Sequence, residues 1–423
     1  MHRTFRSITL ALAALIALAV TACGGGGGGG SSGGTASAAA SNNNVSTTPN
    51  GNTNATAHAA NVAPITVDNG ISGVPNMPFV SVTVCAPGTS NCQTIDHVLV
   101  DTGSWGLRLF ASQLTSAAAL PQQTDASGNA LAECMQFFDG YTWGPVRLAD
   151  VKISGETASA LPVQLIDPNY AAVPASCSNT GTARNTPGAL AANGILGIGV
   201  FKHDCGAACA QQAIAGTYYA CSGTSCTSIA VEERLQVANP VPYFATDNNG
   251  VIVSLPAIAP SGATSVDGQL IFGIGTAANN GLGSATVLTV DAMRGVFATS
   301  ENGTTYASSF IDSGSTGLFF ATNQMSACAS PNSDYYCPAS TTQFSAINRG
   351  ANGVASAVTF SVGNASNIAQ NRAGAAALPL LAGPAFVGST VFDWGLPFFY
   401  GRNVYAAIEQ QSTPGGVGPY FAY

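Results

Sequence analysis

Two short stretches place an acid at the end of an apolar run and follow it with a glycine. They are His97-Val98-Leu99-Val100-Asp101-Thr102-Gly103-Ser104 and Ser309-Phe310-Ile311-Asp312-Ser313-Gly314-Ser315. A carboxylate at the end of a buried strand is held rigidly, and a glycine beside it lets backbone and a partner group approach closely. Two such carboxylates brought face to face cannot both ionise easily, so they share a proton and can work together as acid and base. One copy would be a weak signal. A second copy with the same apolar lead-in is hard to obtain by chance. Asp101 and Asp312 are therefore the candidate catalytic acids.

The segments around the two acids read as strands. Ile65-Thr66-Val67, Val80 to Val84, Ile95 to Val100, Val151-Lys152-Ile153 and Val163 to Ile166 alternate or run apolar between glycine and proline turns. In Met135-Gln136-Phe137-Phe138-Asp139-Gly140-Tyr141-Thr142-Trp143-Gly144 the Asp-Gly pair predicts a hairpin turn. That hairpin is either a surface turn with aromatics packed beneath it or a flap over a cleft. Asn193-Gly194-Ile195-Leu196-Gly197-Ile198-Gly199 follows the first acidic motif at about the distance at which Phe392-Asp393-Trp394-Gly395-Leu396-Pro397 follows the second. The repeat thus spans whole lobes, and a chain of 423 residues exceeds what one core usually serves.

Composition narrows the class. Charged residues make up 8% and hydrophobic ones 46%, with 49 glycines, which suits a β-rich exported globule better than a helical or disordered chain. A net charge of −8, with Lys152 and Lys202 as the only lysines and no basic cluster, argues against a nucleic-acid partner. A serine hydrolase needs a positioned base. His2 and His58 fall in the leader and tether, and neither His97 nor His203 adjoins a nucleophile motif. His97 reads as a strand-face residue. The glycine spacing of Gly268 to Gly275 is wrong for a phosphate loop.

The N-terminus speaks to compartment. Met1 to Arg6 carries positive charge, Ile8 to Val20 is apolar but short for a membrane span, and Val20-Thr21-Ala22-Cys23 closes the segment. Residues 1–22 read as a signal peptide. The small residue before Cys23 resembles the lipobox of bacterial lipoproteins, which implies a lipid on Cys23; the alternative is an ordinary signal with an incidental cysteine. Residues 23–61, rich in Gly, Ser, Asn and Ala, read as a flexible tether. Ten cysteines remain beyond Cys23, an even number that favours disulfides in an oxidising compartment. Cys85 with Cys92 and Cys328 with Cys337 are the expected local staples, other connectivities staying open. A metal site at His203-Asp204-Cys205 and Cys209 is the weaker reading, and no metal or other cofactor is expected.

Taken in order, apolar-Asp-Thr-Gly-Ser, aromatic hairpin, Asn-Gly-Ile-Leu-Gly, Asp-Ser-Gly-Ser and Trp-Gly resemble the pepsin-like aspartic proteases. Phe398 to Ile408 is similar to that family's closing strands, and Gly268 to Gly275 to the strand that ends its first lobe. The leader also resembles an uncharacterised proteobacterial lipoprotein family. The resemblance implies an all-β, bilobal fold, with lobes at 62–278 and 279–423 and the cleft between them. It implies that Asp101 and Asp312 hold a water for attack on a peptide carbonyl. Thr102 and Ser313 would cross-link the two loops, Gly103 and Gly314 would allow their approach, and Ser104 and Ser315 would orient the outer carboxylate oxygens. Phe138, Gly140, Tyr141 and Thr142 would form the flap, where the family's tyrosine has no unambiguous counterpart among Phe137, Phe138 and Tyr141. Arg108 departs from the family's apolar continuation, and Lys202 to Pro260 is longer than its usual connection. The implied protein is a monomeric aspartic endopeptidase acting on peptides or proteins, tethered by Cys23 to the bacterial envelope, with the outer membrane as the expected site. The alternative is a silent lipoprotein of the same fold that binds peptides or glycans without cleaving them.

Overall fold

The computed structural model describes residues 59–115, 119–372, 374–385 and 390–423. Cys23, the leader and nearly all of the tether lie outside them.

The fold is all-β, because short runs of Val, Ile, Leu and aromatic residues are repeatedly ended by Gly, Pro and Asn turns. The first half supplies β1 (Val62–Val67), β2 (Pro78–Cys85), β3 (Cys92–Asp101), β4 (Trp105–Phe110), β5 (Ala130–Phe137), β6 (Gly140–Ile153), β7 (Glu156–Ile166) and β8 (Gly194–Ile198). It continues with β9 (Tyr218–Ser222), β10 (Ser225–Ser228), β11 (Gly250–Leu255) and β12 (Val266–Phe272). The second half supplies β13 (Val287–Thr289), β14 (Phe297–Glu301), β15 (Thr304–Ile311), β16 (Leu318–Phe320), β17 (Thr342–Arg349), β18 (Ala355–Val362), β19 (Ala382–Gly383) and β20 (Val391–Trp394). It ends with β21 (Arg402–Ala407), β22 (Ser412–Thr413), β23 (Gly416–Val417) and β24 (Tyr420–Ala422).

Two sheets carry the architecture. One has 15 strands in the order β10-β9-β5-β6-β7-β4-β8-β3-β2-β1-β12-β11-β21-β24-β13, and the other has seven in the order β18-β17-β14-β15-β20-β16-β19. Strands β13, β21 and β24 of the second half extend the first half's sheet, with β21 lying against β11. The same three-strand unit occurs in each half. β3 runs parallel to β8, which is antiparallel to β4; β15 runs parallel to β20, which is antiparallel to β16. The duplication seen in the sequence is thus a duplication of topology.

Side chains alternate across β3 as the two-residue period of a strand requires. Val98 and Val100 enter the main core, while Leu99 faces a second cluster with Phe79, Phe110, Met135, Phe137 and Ile195. Asp101 continues the Leu99 parity, so its carboxyl emerges beside that second cluster and away from the main core. Ten cysteines form five disulfides, each joining neighbours in the cysteine order: 85–92, 134–177, 205–209, 221–226 and 328–337. Cys205 and Cys209 are bonded to each other, which leaves neither thiol to ligate a metal.

Candidate active site

The two acidic motifs meet at the ends of their strands. Asp101 closes β3 and Asp312 directly follows β15, and both side chains are fully buried. Each loop solvates its own acid in the same way. The Gly103 amide donates to Asp101 Oδ1 at 2.8 Å and the Ser104 hydroxyl to Oδ2 at 2.5 Å. The Gly314 amide donates to Asp312 Oδ1 and the Ser315 hydroxyl to Oδ2, both at 2.7 Å.

Thr102 and Ser313 lock the loops together. The Thr102 hydroxyl accepts the Ser313 amide at 2.9 Å and donates to the Ile311 carbonyl at 2.9 Å. The Ser313 hydroxyl accepts the Thr102 amide at 3.1 Å and donates to the Val100 carbonyl at 2.7 Å. Each hydroxyl thus serves one amide and one carbonyl of the opposite loop, and four buried backbone groups depend on two side chains. The glycines are required by the same closeness. A Cβ on Gly103 would stand 2.5 Å from Asp312 Cγ, and one on Gly314 would stand 2.9 Å from Asp101 Cγ.

The carboxyls are within hydrogen-bonding reach of each other, so one proton must lie between them. Their surroundings differ. Burial raises Asp101, opposed by the bonds from Ser104 and Gly103 and by the charge of Arg108. Burial pushes Asp312 well above the usual carboxylate range, and the negative charge of Asp101 adds to that push. Both acids are thus raised, Asp312 the further of the two.

Arg108 and Asp393 make the two sides unlike. Arg108, fully buried on β4, bonds Glu133 Oε1 at 2.5 Å, Asp204 Oδ2 at 3.2 Å and the Trp105 carbonyl at 2.7 Å. Asp204 also accepts from the Tyr218 hydroxyl at 2.6 Å, and burial beside Glu133 raises it well above the usual range. The departure at Arg108 is thereby accommodated by two buried acids, Glu133 and Asp204. Asp393, on β20, lies 2.6 Å from the Ser315 hydroxyl.

A family match covers residues 57–423. The chain belongs to the family of proteins of unknown function DUF3443. No curated protein matches it. Among solved structures, the aspartic proteinase from Irpex lacteus is similar at 17% identity, covering 86% of this chain and 96% of that one, with a TM-score of 0.44.

In this DUF3443 member the residues of the β5–β6 hairpin separate according to the face they occupy. Phe138, at the tip of the β5–β6 hairpin, stacks on Phe310 of β15 with ring centroids 6.1 Å apart, which puts the hairpin tip against the strand that carries Asp312. Gly140 packs so tightly on the Thr182 carbonyl that a Cβ would lie 2.1 Å from it. Thr142 points inward and donates to Gln164 at 2.8 Å. Tyr141 takes the opposite face, where it is buried with Trp143, Tyr219 and the Cys134–Cys177 disulfide. The parity that turns Phe137 toward the Leu99 cluster turns its near neighbour Tyr141 away, so among the flap candidates Phe138 is the one that reaches across.

Two buried polar residues at the site were not singled out in the sequence. Asn76, in the left-handed region at φ 59°, donates to the Thr316 and Leu378 carbonyls at 2.8 Å and accepts from the Leu378 amide and the Tyr400 hydroxyl. It ties the β1–β2 loop to the backbone just beyond Ser315. Asn is the ordinary non-glycine occupant of that backbone region, but Pro75-Asn76 reads as one more turn among many. Asp393 carried a clearer signal, because an acid stands in an otherwise apolar stretch that parallels Gly194-Ile195-Leu196-Gly197.

Proposed function

We propose that this protein is an aspartic endopeptidase. The observation that carries the reading is the mutual locking of two buried, topologically equivalent Asp loops by Thr102 and Ser313. That lock stiffens the pair and leaves the carboxyls sharing a proton, which suits activation of a water held between them. Asp101, ionised, takes a proton from that water as it attacks the peptide carbonyl. Asp312 gives its proton to the carbonyl oxygen. Ser104 and Ser315 hold the outer oxygens, so each carboxyl keeps its inner edge toward the reacting atoms.

A second reading, a silent binding protein, is favoured by one observation: both acids are fully buried and Phe138 lies over Phe310. Incubation with an unfolded protein from about pH 3 to 7, with Asp101→Ala as control, separates the two readings. The protease reading expects cleavage that the substitution abolishes and that a pepstatin-type transition-state mimic blocks. Absence of cleavage throughout, or cleavage that survives the substitution, supports the silent protein.

We further propose that Cys23 carries the lipid that anchors the chain to the bacterial envelope. Radiolabelled fatty acid should enter the full-length protein and not Cys23→Ala, which should move to the soluble fraction. Labelling of the variant would show that Cys23 is not the acceptor.

A further inference from the structure

The neighbourhood of Ser315 contains more acceptors than its hydroxyl can serve. Ser315 Oγ lies 2.7 Å from Asp312 Oδ2 and 2.6 Å from Asp393 Oδ2. A hydroxyl has one proton and can donate along one short, straight bond. A shared proton would be bent toward both oxygens and would lengthen both contacts. One of the two carboxyls must therefore supply a proton of its own and donate to Ser315.

The remaining oxygens identify which. Asp312 Oδ1 accepts the Gly314 amide, so ionisation there is solvated. Asp393 Oδ1 has no hydrogen-bond partner, and the residue is 1% exposed. An ionised Asp393 would leave a bare, half-charged oxygen in an apolar wall, an arrangement costing far more than a neutral acid. Its register partners, Phe310 on β15 and Phe319 on β16, carry no charge. The ionisable groups that face it are Asp312 and, beyond it, Asp101, both acids.

We propose that Asp393 is a third acid of the site, held neutral, whose proton goes to Ser315 and thereby commits the Ser315 proton to Asp312. Asp393 is a positioning residue acting through Ser315. Resting on the protease reading above, its task is to stabilise the carboxylate that forms on Asp312 when that acid protonates the substrate carbonyl. A donor that is itself accepting a hydrogen bond is a stronger donor. At the equivalent place on the other side stands Ile195, since Leu99 pairs with Ile195 as Phe310 pairs with Asp393. Only the general acid has this relay.

Two variants and two readouts test the inference. Asp393→Asn keeps a donor to Ser315 and removes the ionisation; Asp393→Ile removes both and copies the other side. Infrared difference spectra of wild type minus Asp393→Asn at neutral pH need no substrate, and should show the loss of one neutral carboxylic-acid carbonyl band. Loss of carboxylate bands instead would overturn the proposal. In cleavage assays Asp393→Ile should lower kcat about tenfold with KM unchanged and move the alkaline limb to higher pH, because hydrogen bonds to the ionised form are lost. Asp393→Asn should restore kcat to within about threefold of wild type. A downward move of the alkaline limb in either variant would mean that Asp393 is ionised, and would overturn the proposal. If Asp393→Ile does not fold, Ser315→Ala serves in the infrared arm, where the Asp393 carbonyl band should shift but persist, and its disappearance counts against the assignment. A wild type without peptidase activity would sink the protease reading and leave the infrared result to judge the protonation of Asp393.

Discussion

The Asp101 and Asp312 loops have the same hydrogen bonds and different neighbours. In each, a glycine amide and a serine hydroxyl solvate the acid, and in each a Thr or Ser hydroxyl reaches across to the other loop. Beyond that shell the symmetry ends. The Asp101 side has a buried cation, Arg108, on β4 and the apolar Ile195 on β8, whereas the Asp312 side has the acid Asp393 on β20. A duplicated backbone thus supplies geometry twice, and single differences outside the duplicated motif give the two acids unlike electrostatic surroundings.

The largest test of that division removes each acid in turn. Asp101→Asn and Asp312→Asn should each lower kcat/KM by at least about 10³-fold, since neither half of an acid–base pair can replace the other. Retention of substantial activity by Asp312→Asn in peptide cleavage assays would break the assignment of the proton. Next in size is Arg108→Met, which strands Glu133 in the interior and should cost about 3–5 kcal/mol in denaturant unfolding. Pairing it with Glu133→Leu should recover most of that loss. The double variant should also move the acidic limb of activity to higher pH, because the charge that lowers Asp101 is gone. An unmoved limb would mean that Arg108 is structural alone.

Thr102→Val tests the shared feature. It leaves the Ser313 amide and the Ile311 carbonyl without partners, and should cost about 2–4 kcal/mol at about 1–3 kcal/mol per stranded group. Ser313→Ala should cost a similar amount, since its two bonds mirror those of Thr102; a large inequality would show that one side carries the lock. The last test is in pH. Asp312, Asp393 and Asp204 are all raised well above the usual range, so the folded state keeps their protons after the unfolded chain has lost them. Their contribution to stability is fullest below about pH 4 and falls as pH rises toward their folded values. Thermal midpoints should therefore decline from mildly acid to neutral pH, and Asp393→Asn should flatten the decline. A midpoint that rises over that range would contradict the raised values.

Much of this was legible in the sequence because strands and turns are local. Asp101 and Asp312 stand out by their lead-in and their glycines, and Cys85–Cys92 and Cys328–Cys337 by proximity. Less local features were not. Tyr141 and Phe138 differ in their surroundings by which face of a hairpin they occupy, and that parity depends on where the turn falls. Asn76 acts on Thr316, Leu378 and Tyr400, partners hundreds of positions away that a single sequence does not connect. Asp393 was visible as an acid among apolar residues, but its meaning depends on a 2.6 Å contact to Ser315 that only register supplies. Arg108 is the intermediate case, noticeable as an oddity and explained only by Glu133 and Asp204.

The disulfides join each cysteine to the next one along the chain, five times without exception from Cys85 to Cys337. A chain oxidised in the order in which its thiols emerge would reach this pairing directly. In that order each bond would close before the next pair of thiols has appeared, with no shuffling among the ten. None of the five joins the Asp101 half to the Asp312 half, so oxidation secures each half without ever tying the acids to each other. The acidic pair is thus assembled by hydrogen bonds and packing, with no disulfide between the halves. Strong reductants should loosen hairpins long before they unlock Thr102 from Ser313.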